Sequence, residues 1–147
     1  MATILIIDDD EAVRSLMRAL LESADHKIIE ATTGIEGEKM LRTASPDIIF
    51  TDIFMPDQDG LQTIKNIRKT NKVTPIVAMS SGGPERTSDY LRYAKILGAT
   101  HIVPKSASID KIFEVIGLLE HKNFPKSTHP FVAPRLPAVC WHREQSV

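Results

Sequence analysis

The strongest constraint on this chain is an alternation. Short aliphatic runs are separated by segments whose apolar residues recur every three or four positions. Ile4 to Ile7 is the first such run and ends in Asp8-Asp9-Asp10. An unbroken apolar run this short suits a strand buried on both faces that delivers polar groups at its carboxyl end. In the next segment Val13, Leu16, Met17, Leu20 and Leu21 fall on one side of a helix, leaving Arg14, Arg18 and Glu22 to water. Asp10 is placed to cap that helix.

The unit then repeats. Residues 27 to 31 read as a second strand and residues 34 to 43 as a helix. Residues 47 to 51 form a third strand around Ile48-Ile49-Phe50, its start fixed by Pro46. Leu61, Ile64 and Ile67 mark a third helix, and residues 76 to 79 a fourth strand after Pro75. Pro84 opens a fourth helix whose face carries Leu91, Ala94 and Leu97 and which stops at Gly98. A fifth strand at residues 101 to 103 and a helix carrying Ile109, Ile112, Phe113 and Ile116 complete the pattern. Strands alternating with helices require right-handed crossovers and a parallel sheet covered on both faces, which predicts a doubly wound α/β domain. Ligands of such a sheet lie beyond the carboxyl ends of its strands.

The periodicity stops near His121, so the expected domain is 1–121. Residues 122–147 hold Pro125, Pro130, Pro134 and Pro137 and a net charge of +3, and read as a basic, Pro-rich tail, whether a flexible appendix, a linker stump or vector-derived sequence. The whole chain carries a net charge of −1, so no global basic field favours direct nucleic-acid binding. No apolar run approaches the roughly 20 residues that span a bilayer, and the amino terminus lacks a signal peptide's basic and apolar regions, so a cytoplasmic location is expected. The single cysteine, Cys140, has no internal disulfide partner.

Polar residues gather at the expected strand ends: Asp8, Asp9 and Asp10 after the first, Asp52 after the third, Ser80 and Ser81 after the fourth, Lys105 after the fifth. Carboxylates about 5 Å apart repel by about 3 kcal/mol per pair at an effective dielectric near 20. One lysine cannot balance three of them. A divalent cation can, and an all-oxygen set favours Mg²⁺, with Mn²⁺ as a substitute. A carboxylate beside such a cation and a lysine is a competent phosphoryl acceptor, which singles out Asp52. Asp10 is expected to act as a cap only, and Asp57 and Asp59 as turn residues, with Gly60 in a backbone conformation other residues resist.

The ordered set of Ile4-Leu5-Ile6-Ile7-Asp8-Asp9-Asp10-Glu11, Asp47-Ile48-Ile49-Phe50-Thr51-Asp52-Ile53-Phe54-Met55-Pro56 with Asp59-Gly60, Ser80, Gly98-Ala99 and Lys105 resembles the receiver domain of two-component response regulators. The resemblance covers residues 3 to 120. It implies a five-stranded flavodoxin-like sheet of order 2-1-3-4-5, the order for which such a receiver is a standard example. It implies that Asp52 accepts a phosphoryl group from a phosphohistidine of a sensor histidine kinase or phosphotransfer protein. Mg²⁺ would be held by Asp9, Asp52 and the backbone carbonyl of Phe54, with Asp8 acting directly or through water. Ser80 and Lys105 would contact the phosphoryl group and, with Ile102 at the switch position, remodel the face made by the fourth helix, fifth strand and fifth helix. That face would bind a downstream protein target, the chain being a monomer or a weak phosphorylation-dependent dimer. The chain would be a phosphoacceptor promoting its own phosphorylation and dephosphorylation rather than an enzyme with turnover.

The sequence departs from the family pattern in two places. Ser106 follows Lys105 where proline is usual, with Pro104 before it, and Ile102 stands where an aromatic switch residue is usual. Two other readings follow. A degenerate receiver would act as a phosphorylation-independent interaction module. A phosphohydrolase of the haloacid dehalogenase type would use Asp8-x-Asp10, against which Ala12 and the short chain count.

Overall fold

A computed structural model describes residues 1–55, 58–80 and 84–123, with the side chains of residues 84–88, 91, 122 and 123 excepted. The expectations for Pro56, Asp57 and Ser81, for the Leu91 side chain, and for the tail from residue 124 lie outside the described residues. Five strands alternate with five helices: β1 (Thr3–Ile7), α1 (Glu11–Glu22), β2 (Lys27–Ala31), α2 (Gly34–Ala44), β3 (Ile48–Asp52), α3 (Gly60–Thr70), β4 (Ile76–Ser80), α4 (Pro84–Leu97), β5 (His101–Pro104) and α5 (Ile109–Asn123). All strand pairs are parallel and the sheet order is β2-β1-β3-β4-β5. No described helix is long and apolar enough to cross a membrane.

Successive strand residues point to opposite faces, and the two cores follow that period. Ile4, Ile6, Ile48, Phe50, Val77 and Met79 pack on one face with Met17 and Leu21 of α1 and with Val115, Ile116 and Leu119 of α5. Leu5, Ile7, Ile49, Ile76 and Ala78 pack on the other with Ile64 and Ile67 of α3 and Ala94 of α4, joined by Met40 and Leu41 of α2. Each fully buried Ile or Phe removes enough apolar area from water to contribute about 1.5–3 kcal/mol.

The caps are local and specific. Asp10 Oδ accepts from the Ala12 N–H at α1, Thr33 from Glu36 at α2, and Asp59 from Gln62 at α3. Asp59 is therefore a helix cap rather than only a turn residue. Gly98 stops α4 with φ +120, a conformation that favours glycine.

Three sequence expectations are corrected. Leu16 is 61% exposed, whereas the Arg14 side chain is only 12% exposed. At about 100° per residue, a helix that meets the sheet through Met17 turns position 16 about 100° away and position 14 only about 60° away. Gly60 does not adopt a positive φ; it starts α3 where an added Cβ would lie 2.0 Å from the Asp52 carbonyl oxygen. Its missing side chain lets α3 press against the end of β3.

Candidate functional site

The carboxyl ends of β1, β3, β4 and β5 converge. Asp8 follows β1 and is fully buried; its N–H donates to the Ala31 carbonyl (3.1 Å) and its Oδ1 accepts from the Asp10 N–H (2.9 Å). Asp52 is the last residue of β3 and is 2% exposed. Its Oδ1 accepts from the backbone N–H of Phe54 at 3.2 Å. Asp9 lies in the open. One carboxylate oxygen from each of Asp8, Asp9 and Asp52 lies within 4.8 Å of the others.

Lys105 extends from the end of β5 across the pocket. Its Nζ stands 2.8 Å from Asp8 Oδ2 and 3.1 Å from Asp52 Oδ2. The replacement of the usual proline by Ser106 therefore does not turn the lysine away. The Lys105 N–H also donates to the Ser80 carbonyl at 2.8 Å, tying the two loops together at the backbone. Ser80 Oγ is buried and has no hydrogen-bond partner among the described residues.

The electrostatics follow from this burial. Desolvation, reinforced by the Asp8 charge, pushes the Asp52 carboxyl above its ordinary value, against the pull of Lys105 and the Phe54 N–H. Burial alone would lower the Lys105 ammonium, but hydrogen bonds and Coulomb attraction to Asp8 and Asp52 outweigh it and raise it. Three carboxylates against one ammonium leave a surplus of two negative charges, which matches a divalent cation. An all-oxygen donor set of this size, with an unpartnered serine hydroxyl beside it, fits Mg²⁺ and a phosphoryl oxygen.

The sequence-derived residues are thus distributed unevenly. Asp8, Asp9, Asp52 and Lys105 meet at one point, and Ser80 joins them through Lys105. Asp10 caps α1 as expected. Phe54 is tied to Asp52 by its N–H, while its ring packs edge-on against Tyr90 of α4 with centroids 4.9 Å apart. Ile102 sits partly buried against the core shared with Ala94 and Leu97. Sequence reasoning missed Arg14, whose Nη1 donates to the Asp8 carbonyl at 2.7 Å. The signal was its helical position beside the buried stripe.

Residues 4–117 match the response regulator receiver domain family. This chain belongs to that family. The transcriptional regulatory protein AfsQ1 of Streptomyces coelicolor is 33% identical over 81 residues, covering 55% of this chain and 36% of that protein. The response regulator MprA of Mycobacterium bovis is 29% identical over 133 residues, covering 90% of this chain and 56% of that protein. The receiver spans about half or less of the length of such curated relatives. Among solved structures, the chemotaxis protein CheY4 of Vibrio cholerae superposes with a TM-score of 0.72 at 25% identity, covering 81% of this chain and 98% of that one. A two-component response regulator of Clostridium difficile gives 0.76 at 25% identity, covering 84% and 100%. Membership of this family makes the chain a module of phosphorylation-dependent two-component signalling, and it favours that reading over the phosphohydrolase and phosphorylation-independent ones. The family is a signalling one rather than a class of turnover enzymes, and its members work with histidine kinases and downstream effectors.

Proposed function

We propose that Asp52 is the phosphoacceptor, charged from the phosphohistidine of a sensor histidine kinase or a phosphotransfer protein. The observation that carries this reading is a buried carboxylate at a strand end, shared between a lysine and two further carboxylates. In the transfer an Asp52 oxygen forms a bond to phosphorus and the nitrogen–phosphorus bond of the donor breaks. The imidazole leaves with the electron pair and takes up a proton. Lys105 leaves its carboxylate partners to neutralise the phosphoryl oxygens, and the Ser80 hydroxyl donates to one of them. Asp9, Asp52 and the Phe54 carbonyl hold Mg²⁺, with Asp8 direct or through water; the cation supplies positive charge against the crowded oxygens. Mn²⁺ serves by the same coordination chemistry.

The same residues, with water in place of the donor, promote the receiver's own dephosphorylation. Movement of Ser80 and Lys105 with Ile102 is read out on the face of α4, β5 and α5; on α4, Tyr93 and Ile96 are exposed. A downstream protein docks there, or a second copy in a weak phosphorylated dimer. The reading places the receiver in the cytoplasm, with residues 1–121 as the signalling unit and 122–147 as its tail.

Intact mass after incubation with acetyl phosphate and Mg²⁺ tests the assignment. One phosphoryl adduct is expected in the wild type, and none in Asp52→Asn or without metal. A folded wild type that takes up no phosphoryl group would replace this reading with a phosphorylation-independent binding module.

A further inference from the structure

An arginine on the flank of α1 is oriented toward the pocket from behind. Arg14 Nη1 donates to the Asp8 carbonyl at 2.7 Å, its Nε lies 3.6 Å from Glu30 Oε1 on the edge strand β2, and its side chain is 12% exposed. Glu30 is also paired with Arg18. With this contact the Asp8 N–H is bonded to Ala31, its Oδ1 to the Asp10 N–H and its carbonyl to Arg14, while its Oδ2 makes an ion pair with Lys105 and has no hydrogen bond among the described residues. Asp9 differs. Its carboxylate is exposed, and no hydrogen bond or ion pair from another described residue holds it. Where that carboxylate stands therefore depends on the plane of the Asp8–Asp9 peptide, and the carbonyl of that peptide is the group Arg14 grips.

We propose that Arg14 is a positioning residue for the cation site, clamping the Asp8–Asp9 peptide so that the Asp9 carboxylate stays with those of Asp8 and Asp52. The clamp works through geometry rather than charge. Glu30, which Arg14 shares with Arg18, offsets part of the guanidinium's charge, and the contact the clamp uses is the hydrogen bond to the carbonyl. Partners that orient metal ligands without touching the metal characteristically change affinity by about 10–100-fold when removed. Lysine reproduces the charge but not the planar fork that reaches a carbonyl and a carboxylate together.

The inference rests on the cation site of the proposed function, and its test separates the two. Mg²⁺ affinity is measured calorimetrically on the full chain at fixed ionic strength, and Mn²⁺ affinity by loss of the free-ion resonance signal. The variants are Arg14→Ala, Arg14→Lys and, as a remote loss of one surface cation, Arg42→Ala. Loss of a positive charge alone tightens cation binding; loss of the clamp loosens it. The expected result is a rise in Kd of about 10-fold for Arg14→Ala, a smaller rise for Arg14→Lys, and a change within about twofold for Arg42→Ala. The rate of Asp52 phosphorylation by acetyl phosphate should return to near the wild-type value at saturating Mg²⁺. An Arg14→Ala protein that binds Mg²⁺ as well as or better than wild type overturns the clamp. If Arg14→Ala fails to fold by circular dichroism, an unchanged Kd in Arg14→Lys overturns it instead. A wild type that binds neither Mg²⁺ nor a phosphoryl group sinks both readings, whereas a competent wild type with indifferent Arg14 variants sinks only this one.

Discussion

The pocket and the outer surface of α4 invert the usual distribution of residues in opposite senses. At the ends of β1 and β3, Asp8 and Asp52 are 0% and 2% exposed; along α4, Tyr93 and Ile96 are 58% and 75% exposed. Burying a charge costs several kcal/mol unless a partner and hydrogen bonds offset it, and here Lys105 and backbone N–H groups do so incompletely. Exposing a ring or an isoleucine side chain forgoes only the modest gain of its burial. The pocket is therefore held under electrostatic tension by tertiary structure, and a cation or a phosphoryl group changes its balance. The helix surface leaves apolar area in water that the rest of the described structure does not cover.

The contrast breaks most directly at Lys105. Lys105→Met leaves two buried carboxylates facing each other and should lower metal-free stability at pH 8 by about 3 kcal/mol in urea denaturation. Added Mg²⁺ should restore most of the loss, since it supplies the missing charge. A loss that Mg²⁺ does not repair would place the lysine's contribution in packing instead.

A smaller effect sharpens the electrostatic side. Because burial and the Asp8 charge raise Asp52 above its ordinary 3.8, the native state retains a proton that the unfolded chain has released. Metal-free stability should then fall as pH rises from 3.8 through the raised pKa, the reverse of an ordinary ion-paired carboxylate. Asp52→Asn removes that proton site, so the difference in unfolding free energy between wild type and variant should grow with pH across that window. A constant difference would show that Asp52 titrates alike in both states. The smallest effect belongs to α4. Tyr93→Ser and Ile96→Ser should stay within about 0.5 kcal/mol of wild type and leave the phosphorylation rate unchanged. A larger destabilisation would mean that this surface is part of the core.

Much of this was legible in the order of residues alone. Ile4 to Ile7 and Ile48-Ile49-Phe50 read as strands covered on both faces, and Gly98 as the end of a helix, because such patterns report burial and backbone freedom locally. Asp8, Asp52 and Lys105 were legible as a site because each ends a strand of a parallel sheet, and parallel strands end on the same side. Arg14 and Leu16 were misread for a related reason. Both flank the apolar stripe of α1, and periodicity locates a stripe without saying how far a neighbouring sheet and its loops wrap around it. Gly60 was read as a matter of backbone freedom, whereas its close approach to the Asp52 carbonyl exists only once α3 has docked.

The order of hydrophobic and polar residues determined the elements, their parallel arrangement and the identity of the acids and the lysine, since each depends on neighbours within a few positions. Only the tertiary structure decided that Lys105 bridges Asp8 and Asp52 despite Ser106, that Asp52 sits above its usual pKa, and that Arg14 reaches the Asp8 carbonyl. Distance, burial and field are properties of groups far apart in the chain, and they take their values only when the sheet brings the strand ends together.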